Sequence, residues 1–185
     1  MNTKWTSYYS NTNTKSARPL LVEAMPYVNN GKYALDLGCG AGNDTIFLRE
    51  NGFTVTSVDS SLEVKKYIPD VIISTFEDFS FSTDKYDIVN AQYSLPFNSP
   101  DSFHKVFDKI TKSLRLGGIF VGQFFGDSDE WSKNKDMSFY TKDKVLEFFN
   151  QYHIHVFREK KENGRLASGE AKFWHVFSII AEKTN

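Results

Sequence analysis

The feature that most constrains this chain is an apolar run that ends in a carboxylate and then breaks into alternating glycines, in segment 34–43 (ALDLGCGAGN). The run is short and apolar enough for a buried parallel strand, and helical spacing resumes between Thr45 and Leu48. The glycines therefore fall between the carboxyl end of a strand and the amino terminus of a helix. Open α/β sheets bind ligands at such a position.

Asp36 indicates which kind of ligand this turn suits. Dinucleotide-binding turns have the pattern G-x-G-x-x-G and hold a pyrophosphate, which a carboxylate just upstream would repel. Here the pattern is G-x-G-x-G, with Asp36 two residues before Gly38. S-adenosylmethionine carries an ammonium and a sulfonium but no phosphate, so a carboxylate at the strand end favours it.

Strand and helix patterns alternate along the rest of the chain until its last segment. Strands are predicted at 53–59, 71–76, 86–92 and 119–124, and helices at 17–28, 62–67, 103–114 and 142–152. Segments 153–162 and 173–182 read as two further strands with no helix between them, which predicts a terminal hairpin. We expect 17–185 to form a single domain, preceded by a tail or lid over 1–16.

The string D-x-G-x-G-x-G from Asp36 to Gly42 resembles motif I of the class I S-adenosylmethionine-dependent methyltransferases. The ending Gly42-Asn43-Asp44 and the second strand, NGFTVTSVD, resemble the small tellurite-resistance-type branch of that family. The resemblance implies an α/β three-layer sandwich with a seven-stranded, mostly parallel Rossmann-like sheet and an antiparallel terminal hairpin. It also implies S-adenosyl-L-methionine as the cofactor.

Composition excludes several other classes of function. The 185 residues have a formal net charge of −1, and the lysines and arginines are scattered, so we expect no nucleic-acid partner. No apolar run approaches the roughly twenty residues of a membrane span. A single cysteine and no visible signal segment predict a cytoplasmic protein. We also expect a monomer or a homodimer, and we expect no metal site.

Asp59 is the strongest candidate for ribose binding, because it ends the second strand about twenty residues beyond the glycines. A helix cap is the alternative role for it. The resemblance implies that an acid after the third strand accepts from the adenine amino group, and the register leaves Glu77 and Asp78 both open. The predicted cofactor-binding residues are Asp36, Gly38, Cys39, Gly40, Asn43, Asp59, Ser60, Phe76, Glu77, Asp78 and Gln92.

The methyl acceptor is expected at the segment that follows the fourth strand, 90–97 (NAQYSLPF), which corresponds to motif IV of the resembled family. It lacks the N-P-P-Y or D-P-P-Y string of many amino-group methyltransferases and offers a mostly apolar wall, which suits a small acceptor. His175 and Tyr93 are the catalytic candidates, with an ordinary strand histidine as the alternative for His175. The predicted substrate contacts are Trp5, Tyr9, Arg18, Tyr93 and Trp174, where Arg18 either binds an anion or makes an ion pair.

The function predicted from these features is methyl transfer from S-adenosylmethionine to a small molecule such as a thiol or a metalloid oxyanion. Soft nucleophiles of this kind need no general base, whereas a hydroxyl acceptor needs one. A non-catalytic S-adenosylmethionine-binding module and an RNA methyltransferase are the alternatives.

Overall fold

A computed structural model describes residue 9 and residues 16–185 of the chain. Its helices are α1 (Pro19–Ala24), α2 (Asn43–Glu50), α3 (Pro100–Ser113) and α4 (Lys142–Glu147), with short 3-10 helices at Met25–Tyr27, Leu62–Lys66 and Leu95–Phe97. Its strands are β1 (Tyr33–Leu37), β2 (Thr54–Asp59), β3 (Ile72–Ile73), β4 (Tyr86–Ala91), β5 (Leu114–Gly126), β6 (Phe139–Tyr140), β7 (Tyr152–Arg165) and β8 (Ala171–Lys183).

The strands form one sheet in the order β3-β2-β1-β4-β5-β8-β7, and the two-residue strand β6 pairs with β5 outside this path. The pairs among the first five strands are parallel, whereas β8 pairs antiparallel with both β5 and β7. This confirms the predicted mostly parallel sheet with an antiparallel terminal hairpin. From β3 the chain crosses back to β4, on the other side of β1, and this reversal creates a crevice at the carboxyl ends of β1 and β4.

Helices cover both faces of the sheet and make three layers. Leu21 and Ala24 of α1 and Leu48 of α2 pack on one face, which we call the first face, together with apolar residues of β1, β4, β5 and β8. On the opposite, second face, α3 buries the apolar stripe Phe103, Val106, Phe107 and Ile110. All six residues of β4 are buried, as a central strand covered on both faces requires.

Several element bounds differ from the prediction. The predicted helix 17–28 is α for only six residues and continues as a 3-10 turn that contains Pro26, whose ring and missing N–H prevent the α-helix from continuing. The predicted helix 62–67 is a 3-10 helix, and the third strand keeps only two paired residues. β5 starts five residues earlier than predicted, at Leu114, and its register on β4 jumps from Leu114 to Ile119. No helix among the described residues is long and apolar enough to cross a membrane.

Candidate active site

The glycine turn after β1 depends on backbone conformations that side chains disfavour. Gly38, Gly40 and Gly42 have φ values of +74°, +52° and +84°, in the left-handed region. The N–H of Gly38 donates to the carbonyl of Val58 at 2.8 Å, so the turn is joined to the end of β2. A Cβ on Gly38 would collide with the side chain of Ser94, in the loop after β4. The turn is therefore the place where β1, β2 and the loop after β4 meet.

Asp59 lies at the end of β2 with 7% of its surface exposed, and its carboxylate faces the glycine turn. It accepts hydrogen bonds from the N–H of Gly40 at 3.0 Å, the N–H of Ser61 at 2.9 Å and the hydroxyl of Tyr9 at 3.2 Å. Ser61 comes just before the next 3-10 helix, so its bond to Asp59 matches the predicted capping role. The bond from Gly40 shows that the same carboxylate also lies beside the glycine turn. Ser60 itself is exposed.

Tyr9, which we predicted to contact the acceptor, lies beside Asp59 at the end of β2. Its ring is buried in an apolar cluster with Cys39, Val64 and Ile68. Burial and the charge of Asp59 raise the pKa of the Tyr9 hydroxyl above its usual value. Burial likewise raises the pKa of Cys39, so this thiol is protonated and its side chain has a packing role. The other predicted residue of the N-terminal segment, Trp5, lies outside the described residues.

Asp36 belongs to a buried network that crosses from β1 to β4. It accepts from the hydroxyl of Thr45 at 2.6 Å and from the amide of Asn90 at 2.8 Å. Asn90 also donates to Asp44 at 3.1 Å, and Asp44 accepts from both the backbone N–H and the guanidinium of Arg18, each at 2.8 Å. Burial has the largest effect on the pKa of Asp36, and together with the charge of Asp44 it raises this pKa to about 7. The hydrogen bonds from Thr45 and Asn90 act in the opposite direction and lower it. Arg18 makes the ion pair that was one of its two predicted roles.

The segment after β3 places Phe76 beside the glycine turn and leaves Glu77 and Asp78 exposed. A Cβ on Gly38 would lie 3.6 Å from the ring of Phe76, which places that ring beside the glycine turn. Asp78 is exposed and accepts from the hydroxyl of Thr75 at 2.8 Å, and Glu77 is also exposed. Asn43, also a predicted cofactor contact, is the first residue of α2.

The loop after β4 leads into a group of rings that we call the aromatic wall. Tyr93 has a φ of +54°, a strained conformation for a residue with a side chain, and 40% of its surface is exposed. Its ring centroid lies 6.3 Å from that of Phe125 and 6.2 Å from that of Trp174. The wall consists of Tyr93, Phe97, Phe125, Trp131 and Trp174. A cleft of about 240 Å³ adjoins it, lined partly by Phe97 and Trp131.

A buried ion pair supports the aromatic wall. The ammonium of Lys172 lies 2.5 Å from the carboxylate of Asp129, and both side chains are at most 1% exposed. The same ammonium lies 3.9 Å from the ring centre of Trp174 and 4.5 Å from that of Trp131. These distances are typical of cation–π contacts. Asp129 also accepts from the N–H of Trp131, so the pair fixes both tryptophans.

His175 occupies a position that fits its alternative, structural role. It is 2% exposed, its Nδ1 accepts from the N–H of Ser128 at 3.2 Å, and its Nε2 lies 3.1 Å from Glu159. These partners correspond to a neutral ring protonated on Nε2. Its ring lies against Phe177, on the second face of the sheet, whereas Trp174 packs with Phe125. The structure therefore does not bring His175 to the aromatic wall.

Comparison with known proteins decides the family. A family model described as a methyltransferase domain matches residues 9–163. The chain is 28% identical over 100 residues to an uncharacterised methyltransferase of Synechocystis, a match that covers 51% of this chain and 47% of the relative. The chain belongs to the methyltransferase-domain family. It spans half or less of the length of the curated relatives it matches.

Solved structures show the same fold. An S-adenosylmethionine-dependent methyltransferase from Methanosarcina mazei superposes with a TM-score of 0.70 at 18% identity, covering 92% of this chain and 99% of that one. TehB from Haemophilus influenzae superposes with a TM-score of 0.79 at 15% identity, covering 94% of this chain and 64% of that one. The family and fold class predicted from motif I and from the order of elements are therefore confirmed.

The residues of this methyltransferase domain fit S-adenosylmethionine, the cofactor of the family. The crevice presents two carboxylates and a left-handed glycine turn, and it presents no cluster of cations that would suit a phosphate among the side chains described at the turn. The hydroxyl of Ser94, beside Gly38, is buried and has no hydrogen-bond partner among the described residues. A buried hydroxyl of this kind is suited to a polar group of a bound molecule. Within the described part of the chain, no group of three acidic, histidine or cysteine side chains is placed to hold a metal ion.

Sequence reasoning missed several polar residues of this domain. Asn90 and Gln123 carry amides inside strands that are mostly apolar, and that contrast was a usable signal. Ser94 stood in the predicted acceptor segment without a role. By contrast, the pairing of Asp129 with Lys172 joins residues 43 apart in the sequence, and no local pattern predicts it.

Proposed function

We propose that this domain is an S-adenosylmethionine-dependent methyltransferase that acts on a small-molecule acceptor. The observation that supports this most directly is the placement of Asp36 and Asp59 on either side of the glycine turn, with Phe76 beside it. In this proposal Asp59 accepts from the ribose hydroxyls, and Asp36 favours the positively charged methionine end. In this proposal the cofactor lies against the left-handed turn that Gly38, Gly40 and Gly42 form.

The chemistry requires little from the protein beyond orientation and exclusion of water. When bound, S-adenosylmethionine supplies an electrophilic methyl group whose bond to sulfur breaks as the bond to the acceptor forms, leaving a neutral thioether. Tyr93 and Trp174 then form part of the wall that holds the acceptor in line and dry. Both ring nitrogens of His175 are engaged elsewhere, so the proposal assigns it no proton transfer.

The small size of the acceptor is inferred from the cleft beside the aromatic wall. This cleft measures about 240 Å³, which suits a small molecule better than a folded partner. In this proposal residues 17–185 are the domain, residues 1–16 are its tail or lid, and the protein acts as a monomer or a homodimer. Light scattering at working concentration tests the last point.

Calorimetric titration with S-adenosylhomocysteine tests the cofactor, and the absence of binding at millimolar concentration would refute the proposal. Product formation is then measured across a panel containing a thiol, selenite, tellurite and a phenol. Binding without turnover of any acceptor would favour a non-catalytic module. RNA binding that weakens steeply with salt would favour an RNA methyltransferase instead.

A further inference from the structure

A row of buried amide side chains leads from the carboxylates of the crevice toward the aromatic wall. Asn90, Gln92 and Gln123 are at most 3% exposed. Asn90 donates to Asp36 and Asp44, Gln92 donates to the oxygen of Asn90 at 2.8 Å, and Gln123 donates to the oxygen of Gln92 at 3.3 Å. Each amide therefore donates toward the carboxylates and accepts from the amide that follows it.

The carboxylates at one end fix the direction of the whole row. Asp44, paired with the guanidinium of Arg18, only accepts hydrogen bonds, so Asn90 must turn its NH₂ group toward it. This leaves the oxygen of Asn90 for Gln92, and the oxygen of Gln92 for Gln123. Turning any one amide over would place two oxygens or two NH₂ groups against each other. The network thereby assigns the orientation of each amide.

The row ends in an oxygen without a partner. Oε1 of Gln123 is buried and has no hydrogen bond from any described residue. A buried acceptor in that state costs free energy unless a bound molecule or a water supplies a donor. Because a carbonyl oxygen accepts only, the molecule that satisfies it must carry an N–H or O–H group.

Gln123 lies on the same strand and the same face of the sheet as the central ring of the proposed acceptor site. Gln123 and Phe125 are two residues apart on β5, so their side chains lie on the same face of the sheet. The ring of Phe125 is the centre of the aromatic wall, 6.3 Å from Tyr93 and 5.8 Å from Trp174. The row of amides thus ends where the rings begin.

We infer that Gln123 is a specificity-determining residue, whose Oε1 accepts a hydrogen bond from the N–H or O–H of a flat aromatic methyl acceptor lying against the aromatic wall. The inference rests on the proposed function and narrows it. A metalloid oxyanion such as selenite has no aromatic face to lie against the wall and brings negative charge toward the buried amide oxygen, so Gln123 and the wall together disfavour it.

The test uses two probes of nearly the same shape, indole and benzofuran, which differ in having N–H or oxygen at one ring position. Each is titrated by calorimetry into the protein saturated with S-adenosylhomocysteine. We expect indole to bind about tenfold more tightly than benzofuran, because benzofuran leaves the oxygen of Gln123 unpaired. Selenite, titrated in the same way, should bind more weakly than indole.

Two variants separate the oxygen from its orientation. Gln123→Met keeps the volume but removes the oxygen, so the two probes should bind equally. Gln92→Met keeps the oxygen of Gln123 but removes the group that orients it, so the preference should fall to an intermediate value. Far-UV circular dichroism and a cooperative thermal unfolding transition are measured for each variant to show that it is folded.

The outcomes distinguish this inference from the proposed function. If the wild-type protein does not bind S-adenosylhomocysteine, the proposed function fails. If it binds S-adenosylhomocysteine but binds indole no better than benzofuran, or binds neither, only the inference about Gln123 is overturned. A preference for indole that survives unchanged in Gln123→Met, or tighter binding of selenite than of indole, overturns it as well.

Discussion

Asp36 and Asp59 are both buried carboxylates at the ends of neighbouring strands, but their surroundings differ. Asp59 accepts from two backbone N–H groups and a phenol, all fixed by the turn and by packing. Asp36 accepts from one hydroxyl and from the amide of Asn90, and the same amide also donates to the carboxylate of Asp44. Asp59 is therefore surrounded by donors, whereas Asp36 is a buried carboxyl whose charge is costly until a cation approaches.

Replacing Asp59 with alanine should weaken the binding of S-adenosylhomocysteine by about 1 to 3 kcal/mol, the range for hydrogen bonds to a charged group. Calorimetry measures this directly. Asp70→Ala is the matched control, because Asp70 is an exposed aspartate paired with Arg49 outside the crevice. Equal affinity in Asp59→Ala and the wild type would refute the ribose-binding role.

The raised pKa of Asp36, about 7, predicts how stability changes with pH in the cofactor-free protein. Between about pH 4 and pH 7 the folded protein holds a proton on Asp36 that the unfolded chain has lost. The stability contributed by this proton is complete below about pH 4 and is lost as the pH rises through 7, by at most about 1.4 kcal/mol per pH unit. Urea unfolding of the wild type and of Asp36→Asn from pH 5 to pH 8 measures it.

The pH prediction has a definite failing outcome. Asp36→Asn cannot ionise, so its stability should depend less steeply on pH than that of the wild type in this window. Asp70→Asn, at an exposed position, should keep the wild-type slope. If Asp36→Asn also keeps that slope, the carboxyl of Asp36 is not the titrating group.

At the scale of the elements, the terminal hairpin has a role beyond closing the sheet. β8 pairs with β7 along almost its whole length and with β5 over seven residues, so its first residues reach the same end of the sheet as the crevice. Lys172 and Trp174 are delivered there by β8, and Asp129 and Trp131 by the loop after β5. The hairpin thereby supplies Trp174 of the aromatic wall and the lysine that supports it.

Removing the buried lysine of this hairpin should be strongly destabilising. Lys172→Met keeps the stem but leaves the buried Asp129 without its counter-ion, a change that costs about 3 to 5 kcal/mol in the free energy of unfolding. Chemical denaturation measures it. The double variant with Asp129→Asn should recover part of the loss. Lys160→Met breaks an exposed pair with Glu162 on β7 and should change stability by no measurable amount.

Similar loss of stability in Lys172→Met and Lys160→Met would contradict the importance given to the buried pair. A loss in Lys172→Met without any recovery in the double variant would assign the cost to the contacts of the lysine with the indole rings instead. The two variants together therefore separate charge pairing from packing.

The elements differ in how far the sequence could predict them. β1, its glycine turn and β2 were predictable because each depends on local signals, namely apolar runs, positive-φ glycines and a terminal aspartate. β3 was predicted as six residues and pairs over two, because an edge strand is limited by its neighbour β2 and not by its own propensity. The bulge that displaces β5 on β4 and the burial of Lys172 are tertiary effects, which no local pattern records.

For the molecule as a whole, the order of the strands places the site. β1 lies between β2 and β4. The strands that follow β1 in the sequence extend the sheet first on one side of it, as β2 and β3, and then on the other, as β4 and β5, and the crevice opens where the two sides meet. The hydrogen bond from Asn90 to Asp36 crosses this gap, and the one from Gly40 to Asp59 closes its other side. A molecule bound in the crevice would therefore contact residues from three strands that the sequence keeps far apart.

Binding at such a position should stabilise the entire domain and not one loop. At a concentration of S-adenosylhomocysteine one hundred times its Kd, the expected gain is about 2.7 kcal/mol, which corresponds to an increase in Tm of about 5 to 10 °C for a domain of this size. Thermal unfolding followed by two probes, tryptophan fluorescence and far-UV circular dichroism, should give the same shift. Asp59→Ala at the same ligand concentration should show a smaller increase in Tm by both probes, because its affinity for S-adenosylhomocysteine is lower. An increase in Tm seen by fluorescence alone would mean that the ligand orders only the aromatic wall.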